Sequence, residues 1–305
     1  MTEKVFYNTT TSEYTMSATD PSEKSSTAKA EKMFSCEFFP PRTEAGVEKL
    51  QITQQALNAA MQPAYYSVTF GAGGATRDRT LETVKLFAEQ NINIAPHISC
   101  IGSSKQEIAE LLDSYKTLGV TRLVTLRGDI PESGESSKDL SHANELVSFI
   151  REHSGSQFSL EVAAYPEYHP ESATPQTDFE HFKNKVAAGA DGAITQYFYN
   201  IDAYFRFIDN CQKEGINIPV TPGIMPITNF ASLTRFSDIC GAEIPRWIRK
   251  QLEAYADDES SLQAFGLEVV SNLCKQLLEQ GAPGLHFYSL NQSKATIDIW
   301  NNLNC

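Results

Sequence analysis

Phe34-Ser35-Cys36-Glu37-Phe38-Phe39-Pro40-Pro41-Arg42 sets one carboxylate at the end of an apolar run, just before a double proline. Proline lacks the backbone donor that a sheet ladder needs, so a strand must stop before Pro40. Glu37 then stands at the C-terminal tip of a buried strand, among aromatic side chains. Desolvation raises a carboxyl pKa and can hold a proton ready for donation near neutral pH. The residues alone also allow a plainer reading, in which Glu37 caps a loop or pairs with Arg42.

Outward from this stretch, short β-rich runs recur at 34–39, 65–70, 94–99, 122–126, 159–164, 193–197, 218–221 and 284–289. Most are continuously apolar or β-branched, as strands covered on both faces are. Segments of helical spacing lie between them, at 80–90, 105–118, 179–188 and 201–214. Several stop at a glycine: Gly119, Gly189 and Gly215. Strand and helix alternating eight times predict an α/β fold, a single-domain (β/α)8 TIM barrel. An open doubly wound sheet would place a nucleotide fingerprint after the first strand, where this chain has two prolines. The interval 222–283 exceeds one helix, so an extra helix at 245–255 is expected between strands seven and eight, ahead of a crossover helix at 260–279. Residues 1–30, rich in Ser, Thr, Lys and Glu, read as a disordered or loosely docked tail on a barrel spanning 31–305.

The totals narrow the partners. A formal charge of −13 and a pI near 4.9 argue against nucleic acid and anionic membranes. No apolar run is long enough to cross a bilayer. The six cysteines are scattered without CxxC pairs, so neither a disulfide framework nor a metal site is expected. They read as reduced thiols of a cytoplasmic protein.

In such a barrel the chemistry sits at the C-terminal strand tips. Those tips carry Glu37, Thr69 with Gly71-Ala72-Gly73-Gly74, His97, Arg127-Gly128-Asp129, Tyr165-Pro166-Glu167 with His169, Gln196, and Asn291-Gln292. Each has a structural alternative. The glycine run suits a plain turn, His97 a hydrogen-bonded core histidine, Arg127 and Asp129 an ion pair, and Glu167 with His169 a solvated loop. Gln196 differs, because an amide inside an apolar run needs a partner, and a ligand is a natural one.

Taken in order, FSCEFFPPRT, SVTFGAGG, APHISC, LRGD, AAYPEYHPE, ITQYFY, PGIMP and LHFYSLN closely resemble the methylenetetrahydrofolate reductase family, over about residues 33–303. The likeness is to the bacterial, barrel-only form. It implies an FAD-dependent enzyme in which NADH or NADPH reduces the flavin and leaves. 5,10-Methylenetetrahydrofolate then accepts the hydride and becomes 5-methyltetrahydrofolate, for methionine synthesis.

By the same resemblance, Glu37 is the general acid toward N10 of the folate. Asp129 is the charge beside flavin and pterin that lowers the flavin potential and stabilises the iminium cation. Gln196 and Phe236 contact the substrates, and Thr69 and Gln196 lie near NADH. The FAD positions are Thr69, Phe70, Ala72, His97, Arg127, Gly128, Asp129, Ala143, Tyr165, His169, Asp178, His181, Asn184 and Lys185. A homo-oligomer is also implied.

The chain departs from the family pattern in places. His142 stands where Tyr is frequent, and His181 and Asn184 stand where Asn and Arg are frequent. Gln292 replaces the arginine that binds the folate glutamate carboxylates. Losing that charge-assisted pair weakens folate binding unless Lys294 compensates. Three rivals are a retaining glycosidase using Glu37 and Glu167, a proline-dehydrogenase-like FAD barrel, and a flavin-binding protein without turnover. With only two tryptophans, both away from the strand tips, the glycosidase has little support.

Overall fold

The computed structural model describes residues 32–70, 74–129, 139–255 and 257–303. The expected tail at 1–30 lies outside them, and Lys32–Cys305 forms one unit. The strands are β1 (Met33–Phe38), β2 (Tyr65–Val68), β3 (Ile94–Ser99), β4 (Arg122–Leu126), β5 (Ser159–Ala164), β6 (Gly192–Thr195), β7 (Val220–Thr221), β8 (Gly223–Ile224) and β9 (Gly284–Tyr288). The helices are α1 (Glu44–Met61), α2 (Gly74–Glu89), α3 (Lys105–Thr117), α4 (Ala143–Ser154), α5 (Pro175–Ala187), α6 (Ile201–Lys213), α7 (Phe230–Cys240), α8 (Arg246–Ala254), α9 (Glu259–Glu279) and α10 (Lys294–Leu303).

All strand pairings are parallel, in the order β7-β6-β5-β4-β3-β2-β1-β9-β8. Only Pro222 separates β7 from β8, so the two occupy one strand position broken at a residue with no amide donor. β7 pairs with β6 and β8 with β9, which gives the eight strand positions of the predicted TIM barrel. Side chains and backbone bridge the break. Gly223 N donates to Thr195 Oγ1 at 2.9 Å, and His286 N donates to the Pro222 carbonyl at 3.0 Å. A Cβ at Gly223 would strike the Thr195 carbonyl and the Tyr288 ring, so only glycine permits this approach.

The extra helix at 245–255 is found as α8. A second one, α7, was not expected. Asn229 caps it by accepting from Ser232 N at 2.8 Å, and Gly241 ends it in the left-handed region (φ 74°). The helix expected at 80–90 begins earlier, at Gly74.

The helix-facing side of the strands is apolar, with Cys36, Phe38, Tyr66, Val68, Leu123, Leu285 and Phe287 all buried. The barrel interior is not. It holds Ser35, Glu37, Ser67, His97, Arg122, Glu161 and His286. Toward the N-terminal end of the strands, Arg122 pairs with buried Glu161 and lies 4.9 Å over the Tyr65 ring. Tyr65 in turn stacks on His286 with centroids 6.3 Å apart. Alternation along each strand produces this two-sided result: Ser35 and Glu37 point one way, Cys36 and Phe38 the other.

Candidate active site

Glu37 is the penultimate residue of β1. Its Oε2 lies 3.2 Å from His97 Nε2 on β3 and 3.7 Å from His286 Nε2 on β9. The His286 ring has no solvent exposure, and its Nδ1 is 2.7 Å from Ser35 Oγ. The β1–β9 register sets Ser35 opposite His286 and Glu37 opposite Tyr288, so Glu37 and His286 are diagonal neighbours. Neither Nε2 has a well-aligned hydrogen bond, although both are buried.

Desolvation was expected to raise the Glu37 pKa and ready a proton near neutral pH; the direction is the reverse. Burial pushes its pKa up, but contact with His286 and the charge of His97 outweigh that and bring it to about 2. Glu37 is a carboxylate set between two imidazole rings. Nor does it pair with Arg42.

Two adjoining cavities open at this end of the barrel. One, about 330 Å³, is walled by Glu37, Phe39, His97, Gln196, Tyr197, Met225, Phe236, Tyr288 and Leu290. The other, about 320 Å³, is lined by Phe70, Arg127, Gly128, Asp129, Ala143, Tyr165, His169, Asp178, His181 and Lys185 among others. Leu126, Ala163 and Tyr165 border both. Gly128 has φ 87°, and a Cβ there would press on the Ser99 side chain at 2.9 Å, so glycine is required at this wall.

Most of the expected residues meet here, with exceptions. His97 lines the Glu37 cavity rather than the Arg127 one. Thr69 lines neither; its carbonyl accepts from Thr80 Oγ1 at 2.9 Å. Asn184 is exposed on α5, and Ala72 lies outside the described residues. Asp129 is exposed at the rim of the Arg127 cavity. Arg127 forms its ion pair with Glu171, at 2.7 Å, rather than with Asp129. Gln196 Oε1 accepts from Tyr197 N at 3.0 Å. Gln292 is exposed and lines neither cavity, and Lys294, the possible substitute cation, is engaged by Asp298 at 2.6 Å on its own helix. Glu167 belongs to a separate cavity and accepts from Glu243 N at 2.8 Å, so it forms no catalytic pair with Glu37.

The strand tips alone did not reveal His286, Phe39 or Leu290. His286 sits within its strand, one layer below the tips, and only the β1–β9 register exposes its role. Leu290 and Asn291 both have positive φ, 52° and 56°, a costly conformation for leucine. Asn291 holds that turn by hydrogen-bonding both backbone groups of Phe39, at 2.8 Å and 2.9 Å. Asn291→Ala should therefore lower stability by about 1–3 kcal/mol, read by urea unfolding, and loosen two walls of the Glu37 cavity.

The methylenetetrahydrofolate reductase family model matches residues 23–304. The chain belongs to the methylenetetrahydrofolate reductase family. It is 36% identical to the 5,10-methylenetetrahydrofolate reductase of Pectobacterium carotovorum over 88% of this chain and 89% of that one. Identity to the enzyme of that name in Buchnera aphidicola subsp. Acyrthosiphon pisum is 39%, over 87% and 89%. The match to methylenetetrahydrofolate reductase (NADH) 1 of Arabidopsis thaliana is 36%, over 92% of this chain but 50% of that protein. Among solved structures, an uncharacterised protein from Clostridium thermocellum that binds two copies of 5-methyl-5,6,7,8-tetrahydrofolic acid superposes with a TM-score of 0.60, covering 90% of this chain and 96% of that one; at 16% identity it supports the family's barrel fold alone. Among the described residues no helix is long and apolar enough to cross a membrane.

Proposed function

We propose that the paired cavities reduce 5,10-methylenetetrahydrofolate to 5-methyltetrahydrofolate, with FAD relaying hydride from NADH or NADPH. The observation that carries this reading is the placement of Glu37 and Gln196 in an apolar cavity that shares a wall with a cavity bearing Arg127 and Lys185. The first suits a flat heterocycle that needs a proton, the second a ligand with phosphate groups.

FAD fits the second cavity on one observation above all. Its lining brings the cations Arg127 and Lys185 together with the aromatic rings of Phe70 and Tyr165, a donor set for a phosphate-bearing ring system. Arg127 and Lys185 would hold its phosphates, and Phe70 and Tyr165 would flank its rings. When bound, the flavin supplies two-electron chemistry that no amino-acid side chain offers.

The residues of the chain would do the rest. Phe39, Phe236 and Leu290 exclude water from the folate. Gln196 hydrogen-bonds the pterin, or the nicotinamide that precedes it. Glu37 delivers a proton to N10 of the folate, with His97 and His286 packed beside its carboxyl group. Ser35 fixes the His286 ring. Asp129 at the rim stabilises the cation left on the folate when its five-membered ring opens. In this reading the protein works in the cytoplasm, and Gln292 leaves the folate tail without its usual cation.

The purified protein should be yellow, and anaerobic NADH should bleach it. A colourless preparation that takes up no added FAD would overturn the reading. A pH test bears on Lys185. Burial lowers its pKa to about 8, with Asp178 opposing, so its charge is present below pH 8 and lost above. FAD affinity should fall as pH rises through about 8, measured by fluorescence titration. Lys185→Arg, which stays charged, should lose that dependence.

A further inference from the structure

The cavity proposed for the cofactor holds, among its described lining, two cations (Arg127, Lys185) against three carboxylates (Asp129, Glu171, Asp178). Lys185 Nζ is turned to the Ala163 carbonyl at 2.5 Å. His169 Nδ1 accepts from Glu171 N at 3.1 Å, and burial disfavours its charged form. Arg127 is thus the cation best placed to receive a phosphate, and Glu171 covers it.

The two partners are not alike. Arg127 is anchored by a second bond, from Nε to the Gly128 carbonyl at 3.1 Å, and its side chain is 29% exposed. The Glu171 side chain is 58% exposed, and its carboxylate can move into water at little desolvation cost. Its backbone sits in a turn held by Ser172 N donating to the His169 carbonyl at 2.9 Å, so the side chain can leave without unfolding the loop.

We infer that Glu171 acts as an internal anion on the phosphate seat of Arg127, and that a phosphate-bearing ligand binds only by displacing it. The inference rests on the cofactor reading above and adds to it a residue that sets affinity. Removing the carboxylate charge removes the competitor. Were Glu171 instead an aligner of Arg127, the same change would weaken binding.

The test uses the full-length chain freed of flavin, as wild type and as Glu171→Gln. Gln keeps the shape and an acceptor oxygen. FAD fluorescence titration should show about tenfold tighter binding to the variant, as expected for loss of one charge-assisted competitor. Inorganic pyrophosphate should raise the melting temperature of the variant more than that of the wild type. Unchanged or weaker FAD binding by the variant overturns the inference. If neither protein binds FAD, the cofactor reading fails, and the pyrophosphate comparison alone decides the inference: an equal or smaller rise for the variant overturns it.

Discussion

Glu37→Gln should slow the folate half-reaction by about 10²–10⁴-fold while reduction by the nicotinamide cofactor stays within a few-fold of wild type. The amide keeps the volume of the carboxyl but cannot carry a proton to N10. Only ring opening of the folate needs that proton. Rapid mixing of each half-reaction separately reads the split, and equal loss in both would remove Glu37 from the role of proton donor. The variant has a second signature. Because the folded-state pKa of Glu37 is lowered to about 2, its contribution to stability is present above its ordinary value and lost as pH falls toward 2. The wild type should therefore lose more stability than Glu37→Gln between about pH 4.5 and pH 2, measured by urea unfolding.

Arg122→Met should lower the stability of the barrel by about 3–5 kcal/mol. Glu161 is buried beneath it, with a side chain 7% exposed, and its carboxylate fills the space that a Cβ at Gly192 would take. Burial drives the Glu161 pKa up, and Arg122 is what opposes that. Without the guanidinium, the carboxylate must either stay charged and unpaired or take up a proton. Arg122→Met with Glu161→Leu should recover most of the loss, because an apolar pair of similar volume has no charge to desolvate. Chemical denaturation of the two single variants and the double variant measures the coupling. A single variant as stable as wild type would mean that water reaches Glu161.

The barrel was legible because its signals are local. Glycine stops, a double proline after the first strand, and apolar runs of strand length each act within a few residues. The break at Pro222 was visible as a proline but not as a split strand, because the pairing of its two halves with different neighbours is a long-range fact. The site divided in the same way. Glu37, Arg127, Tyr165 and Gln196 lie at strand ends, where position alone suggests chemistry. His286 lies inside a strand, and the strands were read as continuously apolar. That reading describes the helix-facing surface and misses the interior one. The protonation of Glu37 was misread for the same reason: burial is encoded around residue 37, whereas the histidines that reverse its effect come from β3 and β9. Helix α7 was missed too, although Asn229 and Gly241 mark its ends.

One anaerobic measurement bears most directly on the central claim, that a single cleft joins proton delivery by Glu37 to hydride delivery from a bound flavin. The FAD-loaded protein is reduced with one equivalent of NADH and then titrated with 5,10-methylenetetrahydrofolate. Stoichiometric return of the oxidised flavin spectrum is expected, with an equal amount of 5-methyltetrahydrofolate formed. Reduced flavin that persists in excess folate, or reoxidation with no methyl product, would contradict it.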